Sequence, residues 1–483
     1  MAAAWETVVG LEVHLQLLTK SKMFCGCATT YGDTPNTHVC PVCLGLPGAL
    51  PTPNEHAVRL AARAAFALGC TVRERSVFAR KNYFYPDLPK GYQISQFEEP
   101  LATGGSLEIV SPERGPITVG ITRLHIEEDA GKSFHDRVPG MTALDFNRSG
   151  VPLIEIVSEP DLRSPAEARS YLVALKQVMR YVEVSDCNME EGSLRVDANV
   201  SVHRPGIPFG TRTEVKNMNS FSGVERALAF ERDRHVAAVE RGETVVQRTM
   251  TFDAGSGVVR PMRSKEQSHD YRYFPEPDLP PLVLTRAWLG DVKSSLPELP
   301  AAKRHRFMRE YGLSAAEASV VGATRDIAEH FEAFAGAVGA AAEAGKEVWN
   351  WEANDVLTHS ADGESIPAAL APPRVAELFG LVKRGAVSRQ AARKVMADML
   401  QHPEPPAELA SRLGLMQVQD AGQIVTWVRE TIAAHPAEVA RYQAGEGKLM
   451  GFLVGQVMKR SQGKADPKAA SAELARALRR EGS

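Results

Sequence analysis

Alternation of apolar and polar positions is the dominant pattern in the first part of the chain. Apolar residues recur at every second position, the period of a strand with one buried face, in three segments: 5–17, 117–126 and 194–202. Helical periods separate these strands, at 56–68, 165–181 and 223–241. The second helix begins with Ser164 as N-cap and Pro165 at the first helical position. We therefore predict a mixed, strand-rich domain over residues 1–292.

The pattern changes around a proline-rich stretch at 275–300. Almost everything beyond it is predicted to be helical, with Ala-rich segments such as 324–342 between short Gly, Pro and Ser breaks. A second break, at 402–406, precedes a final set of short helices. The predicted fold class is α+β, with an all-helical domain at 293–405 and a small helical tail domain at 406–483.

Composition is that of an ordinary globular protein. Hydrophobic residues make up 44% and charged residues 24%, and the net charge of −3 excludes a globally basic nucleic-acid binder. No apolar run approaches the roughly 20 residues that a membrane span requires. The first residues lack the basic region and apolar core of a signal peptide. We expect a cytoplasmic protein without a membrane partner.

One local charge excess stands out near the end of the chain. Residues 447–483 carry eight Lys or Arg and three Asp or Glu. A solvated helical face and a surface that contacts phosphate groups explain such a run equally well.

Four of the six cysteines cluster in the segment 25–43, as Cys25-x-Cys27 and, twelve residues later, Cys40-x-x-Cys43. Two close pairs joined by a short loop are typical of tetrahedral zinc. Four thiolates leave no open coordination position, so this zinc is predicted to be structural. The remaining two are isolated and are predicted to be buried small hydrophobes: Cys70 and Cys187.

The segment 80–96 follows neither period and contains three near-contiguous aromatics. Proline at 86 and 89 excludes a long regular element, so we predict a fixed, irregular loop. Such a loop usually builds a site, and the alternative is a loop whose aromatics fill the core.

Glu12 and His14 share one face of the first predicted strand, about 7 Å apart, and can converge on one ion. A buried, hydrogen-bonded pair is the simpler interpretation of an isolated Glu-x-His. Glu155 lies alone in an apolar run, where a carboxylate is seldom buried unless it is paired or bound to a metal.

Three successive carboxylates, Glu127, Glu128 and Asp129, end another strand. They repel one another unless cations lie among them, so they require solvent or a metal. Mixed carboxylate and imidazole ligation suits Mg²⁺ or Mn²⁺ that bridges phosphate oxygens. The following Gly131-Lys-Ser lacks the first glycine of a P-loop, so a nucleotide bound here would rely on metal and free lysines such as Lys81.

Several long motifs resemble the B subunit of the glutamine-dependent aspartyl/glutamyl-tRNA(Asn/Gln) amidotransferase. The resemblance runs in order through the first 280 residues and resumes near the end, so it covers essentially the whole chain. The segments that carry it start at Gly10 (GLEVH), Arg80 (RKNYFYPDLPKGYQISQF), Arg123 (RLHIEEDAGK), Pro152 (PLIEIVSEPD), Met189 (MEEGSLR), Asp270 (DYRYFPEPD) and Gly447 (GKLMGFLVGQVMK).

The resemblance implies a cradle-shaped catalytic domain, a helical domain and a mobile tail domain that contacts tRNA. It implies ATP-dependent phosphorylation of the side-chain carboxylate of misacylated Asp-tRNA(Asn) or Glu-tRNA(Gln), followed by amidation with ammonia. Ammonia would come from an amidase A subunit, since no Ser-Ser-Lys amidase signature occurs here. A small C subunit would complete a heterotrimer, with a non-discriminating aspartyl- or glutamyl-tRNA synthetase as a further partner.

The resemblance also implies roles for particular residues. Glu12, His14 and Glu128 match metal-binding positions for Mg²⁺, and Glu155 is a further ligand. Lys81 matches a lysine at the kinase centre, where ATP binds. Strand alternation alone does not choose Glu128 over Glu127; the family match makes that choice.

Two further expectations follow from the resemblance. Lys90 is placed at the cofactor site or on the ammonia path. The segment 80–96 becomes the wall of a phosphorylation pocket, with Lys81 facing the phosphate and Phe84 and Tyr85 packed to fix the backbone. The cysteine cluster occurs in only some members of the family, where it holds zinc.

Three rival interpretations remain. The archaeal subunit specific for Glu-tRNA(Gln) shares the cradle motifs but carries an inserted domain that this chain lacks. A tRNA-binding scaffold with a decayed metal site would not need Glu12, His14, Glu128 and Lys81 intact. A stand-alone glutamine amidotransferase would need a nucleophile, and neither isolated cysteine lies in a recognisable Cys/His setting.

Overall fold

The computed structural model describes residues 5–262, 271–339, 342–417, 421–461 and 463–480. The chain divides into two compact units, Met1–Ala301 and Ala302–Ser483. The first unit is strand-rich and the second is helical, which confirms the α+β class.

The first unit contains these helices: α1 (Glu55–Ala67), α2 (Pro165–Tyr181), α3 (Phe221–Glu240) and α4 (Arg286–Ser294). Its strands are β1 (Glu6–Gln16), β2 (Thr71–Val72), β3 (Arg75–Ser76), β4 (Ala79–Asn82), β5 (Tyr92–Ser95), β6 (Ala102–Thr103), β7 (Ser106–Ser111), β8 (Gly115–Glu128), β9 (Lys132–Val138), β10 (Met141–Asp145), β11 (Pro152–Ser158), β12 (Leu194–His203), β13 (Thr213–Lys216), β14 (Thr249–Asp253), β15 (Val258–Pro261), β16 (Phe274–Pro275) and β17 (Leu282–Val283).

A ten-stranded sheet organises this unit. Its order is β15-β14-β13-β12-β1-β11-β8-β6-β2, with β7 paired to β8, and within it β13 and β14 run parallel. Smaller sheets join β9 to β10, β16 to β4 and β5, and β3 to β17. The long central strand β1 lies between β12 and β11, so residues distant in sequence become direct neighbours.

The strands form where the alternation predicts them. In β1, Leu11, Val13 and Leu15 are buried, and the residues between them are half-buried on the other face. The buried side joins one core with the inner sides of α1, α2 and α3. Burial of apolar area of this kind is the main stabilising contribution to the unit.

Helix α2 shows how local sequence fixes an element boundary. Ser164 Oγ accepts a hydrogen bond from the Glu167 backbone N–H at 3.2 Å, and Pro165 occupies the first turn. Such a cap stabilises a helix by about 1 kcal/mol. The predicted helix at 165–181 is confirmed to the residue, and those at 56–68 and 223–241 lie within two residues of the observed bounds.

The second unit is helical. Its helices are α5 (Pro300–Tyr311), which starts in the first unit, α6 (Ala315–Val321), α7 (Arg325–Ala337), α8 (Ala342–Trp351), α9 (Pro372–Lys383), α10 (Arg389–Met399), α11 (Pro406–Arg412), α12 (Ala421–Ala434), α13 (Pro436–Gln443), α14 (Leu449–Arg460) and α15 (Pro467–Arg480). A π-helical turn (Glu352–Val356) and two 3₁₀ turns (Leu357–His359, Ala368–Leu370) follow α8. Helices α12 to α15 enclose a core of their own that includes Val428, Leu453 and Leu474.

Candidate active site

The polar face of the ten-stranded sheet carries the candidate site. His14 on β1 lies directly opposite Glu155 on β11, and Glu155 lies opposite His125 on β8. Directly paired residues point to the same side of a sheet, and residues two apart along a strand do so too. Glu127 therefore joins this set from β8. Three strands that are far apart in sequence thus supply one cluster.

The cluster is compact. His14 Nε2 lies 3.2 Å from Glu155 Oε2, and His125 Nε2 lies 3.4 Å from the same oxygen and 3.2 Å from Glu127 Oε1. The ligand atoms of His14, Glu127 and Glu155 all lie within 4.8 Å of one another. One imidazole and two carboxylates are a suitable donor set for Mg²⁺ or Mn²⁺.

Electrostatics keep both carboxylates of the cluster ionised. Burial would raise the pKa of Glu155, but His125 and His14 outweigh it and hold that pKa well below its usual value. Burial opposes ionisation of Glu127 as well, yet Lys81 and His125 lower its pKa to about 2. A divalent cation entering the cluster would therefore meet charged ligands.

Hydrogen bonds from β5 fix the orientation of Glu127. Ser95 Oγ donates to its Oε1 at 2.6 Å, and Gln93 Nε2 donates to its Oε2 at 3.0 Å. Groups that hold metal-binding side chains in this way usually matter for metal affinity.

Glu128 lies apart from this cluster, contrary to our prediction that it shares an ion with His14. Glu128 lies two residues after the buried core residue Ile126 on β8, so these two side chains point to the same side of the strand, opposite to that of Glu127. Its carboxylate is paired with the ammonium of Lys90 and accepts a hydrogen bond from the Ile94 backbone N–H at 2.9 Å. The residue that lies beside His14 and Glu155 is Glu127.

Asp129, the third successive carboxylate, has its own partners. Arg195 Nη2 lies 2.9 Å from Oδ1, Gln16 Nε2 donates to Oδ2 at 2.8 Å, and Arg148 Nε is 3.7 Å away. Each of the three carboxylates is buried beside partners of its own. These partners relieve the expected repulsion without exposure of the carboxylates to solvent.

Lys81 lies on β4, directly paired with Gln93. Burial would lower its pKa, but Glu127, Tyr273 and Glu155 outweigh that effect and raise it. Its ammonium lies 5.3 Å from the centre of the Tyr271 ring, and among the described residues no group forms a hydrogen bond or ion pair with it. A charged lysine without a direct partner can neutralise an incoming anion.

Glu12 shares the polar face but is not part of the tight cluster. It accepts a hydrogen bond from Asn199 Nδ2 at 3.0 Å, and burial, followed by repulsion from Glu155, raises its pKa. An open cavity of about 340 Å³ adjoins it, lined also by Asn199, Ser201, Phe209 and Arg212.

The four clustered cysteines converge as the spacing predicts. Their sulfur atoms all lie within 4.8 Å of one another, and the sulfurs of a tetrahedral zinc site are about 4 Å apart. Lys22, which is fully buried, donates to the carbonyl oxygens of His38 and Phe146 at 2.6 and 3.2 Å and lies 3.6 Å from Cys43 Sγ. The arrangement fits a structural zinc.

The segment 80–96 confirms the irregular backbone predicted around its aromatics and prolines and corrects the predicted packing of two of those aromatics. Its ends form β4 and β5, an antiparallel hairpin in which Lys81 faces Gln93, and irregular backbone is confined to its centre. Phe84 and Tyr85 do not pack into a core, since they are 88% and 42% exposed. The loop between the two strands spans residues 83–91, which include both prolines, and it ends at Gly91, whose φ of +73° favours glycine.

The two isolated cysteines are buried, as predicted. Burial raises the pKa of the Cys70 thiol to about 12 and is the main cause that raises that of Cys187 to about 11. Thiols of this kind are poor nucleophiles, which disfavours a stand-alone glutamine amidotransferase.

Sequence reasoning missed His125 and the Asp129–Arg195 pair. His125 lies two residues before Glu127 in an alternating strand, and that spacing alone places it on the same face. The partner of Asp129 could not be found in this way, because Arg195 lies on a different strand whose position depends on the sheet order.

In the described part of the chain, no helix is both long and apolar enough to cross a bilayer.

Comparison with known proteins gives matches over most of the chain. Residues 7–290 match the family model described as the GatB/GatE catalytic domain, and residues 331–478 match the GatB domain. A curated relative from Anaeromyxobacter dehalogenans is 49% identical over 478 residues, 98% of this chain and 99% of its own. Others from Geotalea uraniireducens and Moorella thermoacetica are 49% identical over 96% of this chain and 97% of theirs. All three are named as the B subunit of aspartyl/glutamyl-tRNA(Asn/Gln) amidotransferase.

Proposed function

The chain belongs to the family of aspartyl/glutamyl-tRNA(Asn/Gln) amidotransferase B subunits, and from this premise we propose that it converts misacylated Asp-tRNA(Asn), Glu-tRNA(Gln) or both to the amide in an ATP-dependent reaction. We base this proposal on the convergence of His14, Glu127 and Glu155 within 4.8 Å. The Lys81 ammonium lies beside them and has no hydrogen-bond or ion-pair partner among the described residues.

The chemistry explains why such a centre is needed. A carboxylate oxygen of the aminoacyl side chain attacks the γ-phosphorus of ATP, the bond to the β–γ bridging oxygen breaks, and ADP leaves. Ammonia then attacks the acyl carbon, the bond to the phosphate oxygen breaks, and a proton is lost, which gives the amide and inorganic phosphate. Phosphoryl transfer onto an anion requires positive charge around both partners.

The residues take distinct roles in this scheme. His14, Glu127 and Glu155 would hold Mg²⁺, which supplies charge neutralisation when bound. Lys81 neutralises a phosphate oxygen, and Gln93 and Ser95 hold Glu127 in position. Glu12 borders the open cavity on the same face, which has room for the nucleoside of ATP.

Lys90 and Glu128 suit a different task. They line a cavity that also includes Lys22, Cys25 and Cys43 of the four-cysteine region. We place the path of ammonia from a partner amidase subunit along this cavity, whose lining includes the Lys90–Glu128 ion pair. Glu128 then serves the amidation step and is not a ligand of Mg²⁺.

The remaining parts would support this centre. Zinc bound by the four cysteines would hold the segment 25–43 in place. The tail helices α14 and α15 carry the basic excess and enclose their own core with α12 and α13, as expected for a domain that contacts tRNA phosphates. A small third subunit would complete the heterotrimer in the cytoplasm.

Replacement of Lys81 by Ala tests the phosphorylation step. In the assembled complex, Lys81→Ala should reduce ATP cleavage that depends on misacylated tRNA by at least about a hundredfold, because a charge at the transferred phosphoryl group is lost. Glutamine hydrolysis by the partner subunit and the thermal unfolding of this chain should change little.

Lys293→Ala is the matched control. Lys293 is an exposed lysine on α4, and its ammonium lies 5.9 Å from the centre of the Phe66 ring, much as the Lys81 ammonium lies over the Tyr271 ring. It should leave ATP cleavage unchanged. Unchanged cleavage in Lys81→Ala would contradict the kinase role, and a wild-type complex that binds misacylated tRNA without cleaving ATP would favour the scaffold interpretation.

A further inference from the structure

The position of the Lys81 ammonium depends on packing and not on hydrogen bonds. No group in the described part of the chain forms a hydrogen bond or ion pair with it, and the centre of the Tyr271 ring lies 5.3 Å away. Lysine carries its charge on a flexible four-carbon stem, so an ammonium without a directional partner is fixed only by the groups that surround it. The rings next to Lys81 therefore decide where its charge lies.

Two of these rings, Tyr271 and Tyr273, have fixed positions of their own. Tyr273 stacks on Phe97 at 4.1 Å between centroids with 4° between the planes, and Tyr271 meets Tyr83 edge-on at 6.0 Å. The two rings also contact each other edge-on at 6.0 Å. Burial raises the pKa of Tyr273 and the nearby Lys81 ammonium opposes that rise, so both tyrosines adjoin this lysine.

The backbone that carries the two tyrosines leaves the regular register of the small sheet. Phe274 on β16 pairs with Arg80 on β4, and the same register would place Arg272 opposite Asn82. The Asn82 backbone N–H instead donates to the carbonyl oxygen of Tyr271 at 2.9 Å. Arg272 is thus an extra residue, as in a β-bulge, and bulges re-aim the side chains beside them.

Arg272 also has a strained backbone. Its φ of +44° lies in the left-handed region, which residues other than glycine seldom adopt. Strain of this kind persists only where the surroundings hold it, and it concentrates at functional sites. Here the Asn82 side chain holds it, because Nδ2 donates to the carbonyl oxygens of Arg272 at 2.9 Å and of Tyr271 at 3.3 Å.

We propose that Asn82 is a positioning residue for phosphoryl transfer: its amide clamps the strained turn at Arg272, and the tyrosines on either side of that turn hold the Lys81 ammonium in place. This inference rests on the proposed function and adds a residue that acts on the reaction through Lys81, without touching the substrate.

Kinetics of the assembled complex test the clamp. Asn82→Ala should lower kcat for ATP cleavage that depends on misacylated tRNA by about ten- to a hundredfold, because a displacement of about 1 Å at a reacting group has an effect of that order. The KM for tRNA should change little. In the Lys81→Ala background the same substitution should have no further effect, since the group that Asn82 positions is absent. A role confined to folding would lower kcat in both backgrounds alike.

A second substitution should rescue the first. Glycine adopts a positive φ without strain, so a turn with Arg272→Gly no longer needs the clamp. The double variant Asn82→Ala/Arg272→Gly should therefore regain most of the lost kcat, and Arg272→Gly alone should retain it. Asn354→Ala is the matched control, because Asn354 is an exposed asparagine in the second unit whose Nδ2 donates to the Asn350 carbonyl oxygen at 2.9 Å. It should not change kcat.

Acylation of Lys81 by an amine-selective reagent, followed by mass spectrometry, reports on the clamp without catalysis. Asn82→Ala should raise the labelling rate of Lys81 severalfold, because the rings no longer cover the ammonium, and Arg272→Gly should reverse that rise.

An unchanged kcat in Asn82→Ala would overturn the proposal, as would a loss that Arg272→Gly does not restore or an unchanged labelling rate of Lys81. A wild-type complex that cleaves no ATP with misacylated tRNA would be a failure of the proposed function, and the labelling of Lys81 distinguishes the two failures.

Discussion

The four-cysteine cluster and the His14–Glu127–Glu155 cluster each bring together donor atoms suited to a metal ion, but they differ in origin and in completeness. The cysteines come from one short segment, 25–43, and supply four identical ligands. The other cluster takes one ligand from each of three strands and supplies three ligands of two kinds.

This difference indicates different tasks. Four thiolates would satisfy zinc completely, so an ion bound there would hold the chain together and perform no chemistry. One imidazole and two carboxylates leave positions for water or phosphate oxygens around a hexacoordinate ion. The lysines near the two clusters differ in the same way. The Lys22 ammonium beside the cysteines already donates to two carbonyl oxygens, whereas the Lys81 ammonium has no hydrogen-bond or ion-pair partner among the described residues.

The largest expected effect distinguishes two adjacent carboxylates. Glu127→Gln should lower tRNA-dependent ATP cleavage by at least about a hundredfold and raise the Mg²⁺ concentration needed for half-maximal activity, because a ligand loses its charge. Glu128→Gln is the matched variant, and its Mg²⁺ dependence should equal that of the wild type. A shift in Mg²⁺ dependence confined to Glu128→Gln would contradict the choice of Glu127, which shares a side of β8 with His125, as the ligand.

An intermediate effect is expected at the four-cysteine cluster. Cys43→Ser should abolish zinc binding, measured by metal analysis, and lower the midpoint of thermal unfolding by several degrees, because structural zinc contributes directly to folding. The Mg²⁺ dependence of the protein that remains folded should not change.

Cys187→Ala serves as the control for loss of a buried thiol, since Cys187 is equally buried but isolated. It should retain zinc. If Cys43→Ser altered the Mg²⁺ dependence instead of the stability, the division of tasks between the two clusters would be wrong.

The smallest effect concerns a buried carboxylate outside both clusters. Glu231 is fully buried, with donors from Thr213 at 2.7 Å and from Arg234 at 2.6 Å. Burial would raise its pKa from 4.5, but Arg234, His235 and Thr213 lower it to about 2. The pKa is depressed in the folded state, so its contribution to stability is complete above about pH 4.5 and is lost as the pH falls towards 2.

Urea unfolding of the wild type and of Glu231→Gln should therefore show a difference in unfolding free energy that is constant above pH 5 and shrinks at lower pH. Catalysis at neutral pH should be retained by this variant, in contrast to Glu127→Gln. A stability difference that grows as the pH falls would contradict the depressed pKa.

The division between what sequence and structure reveal follows the range of the interactions. The helix at 165–181 is encoded by its own apolar period, its serine cap and its first-turn proline, and it was predicted to the residue. The irregular backbone around Pro86 and Pro89 likewise follows from local sequence, whereas the pairing of β4 with β5 on either side of it depends on the register of the two strands. The exposure of Phe84 was missed for a related reason, since local sequence does not show which side of a hairpin is covered.

By itself the sequence determined the α+β class, the convergence of the four clustered cysteines and the placement of Glu12, His14, Lys81 and Glu155 in one polar region. These depend on spacing along single segments or on long motifs, both of which are visible in one dimension. Only the tertiary structure decided that Glu127, and not Glu128, joins His14, and that His125 lies among them. The physical reason is that pairing β1 with β11 and β11 with β8 sets which side chains share a face, and no local pattern contains that order.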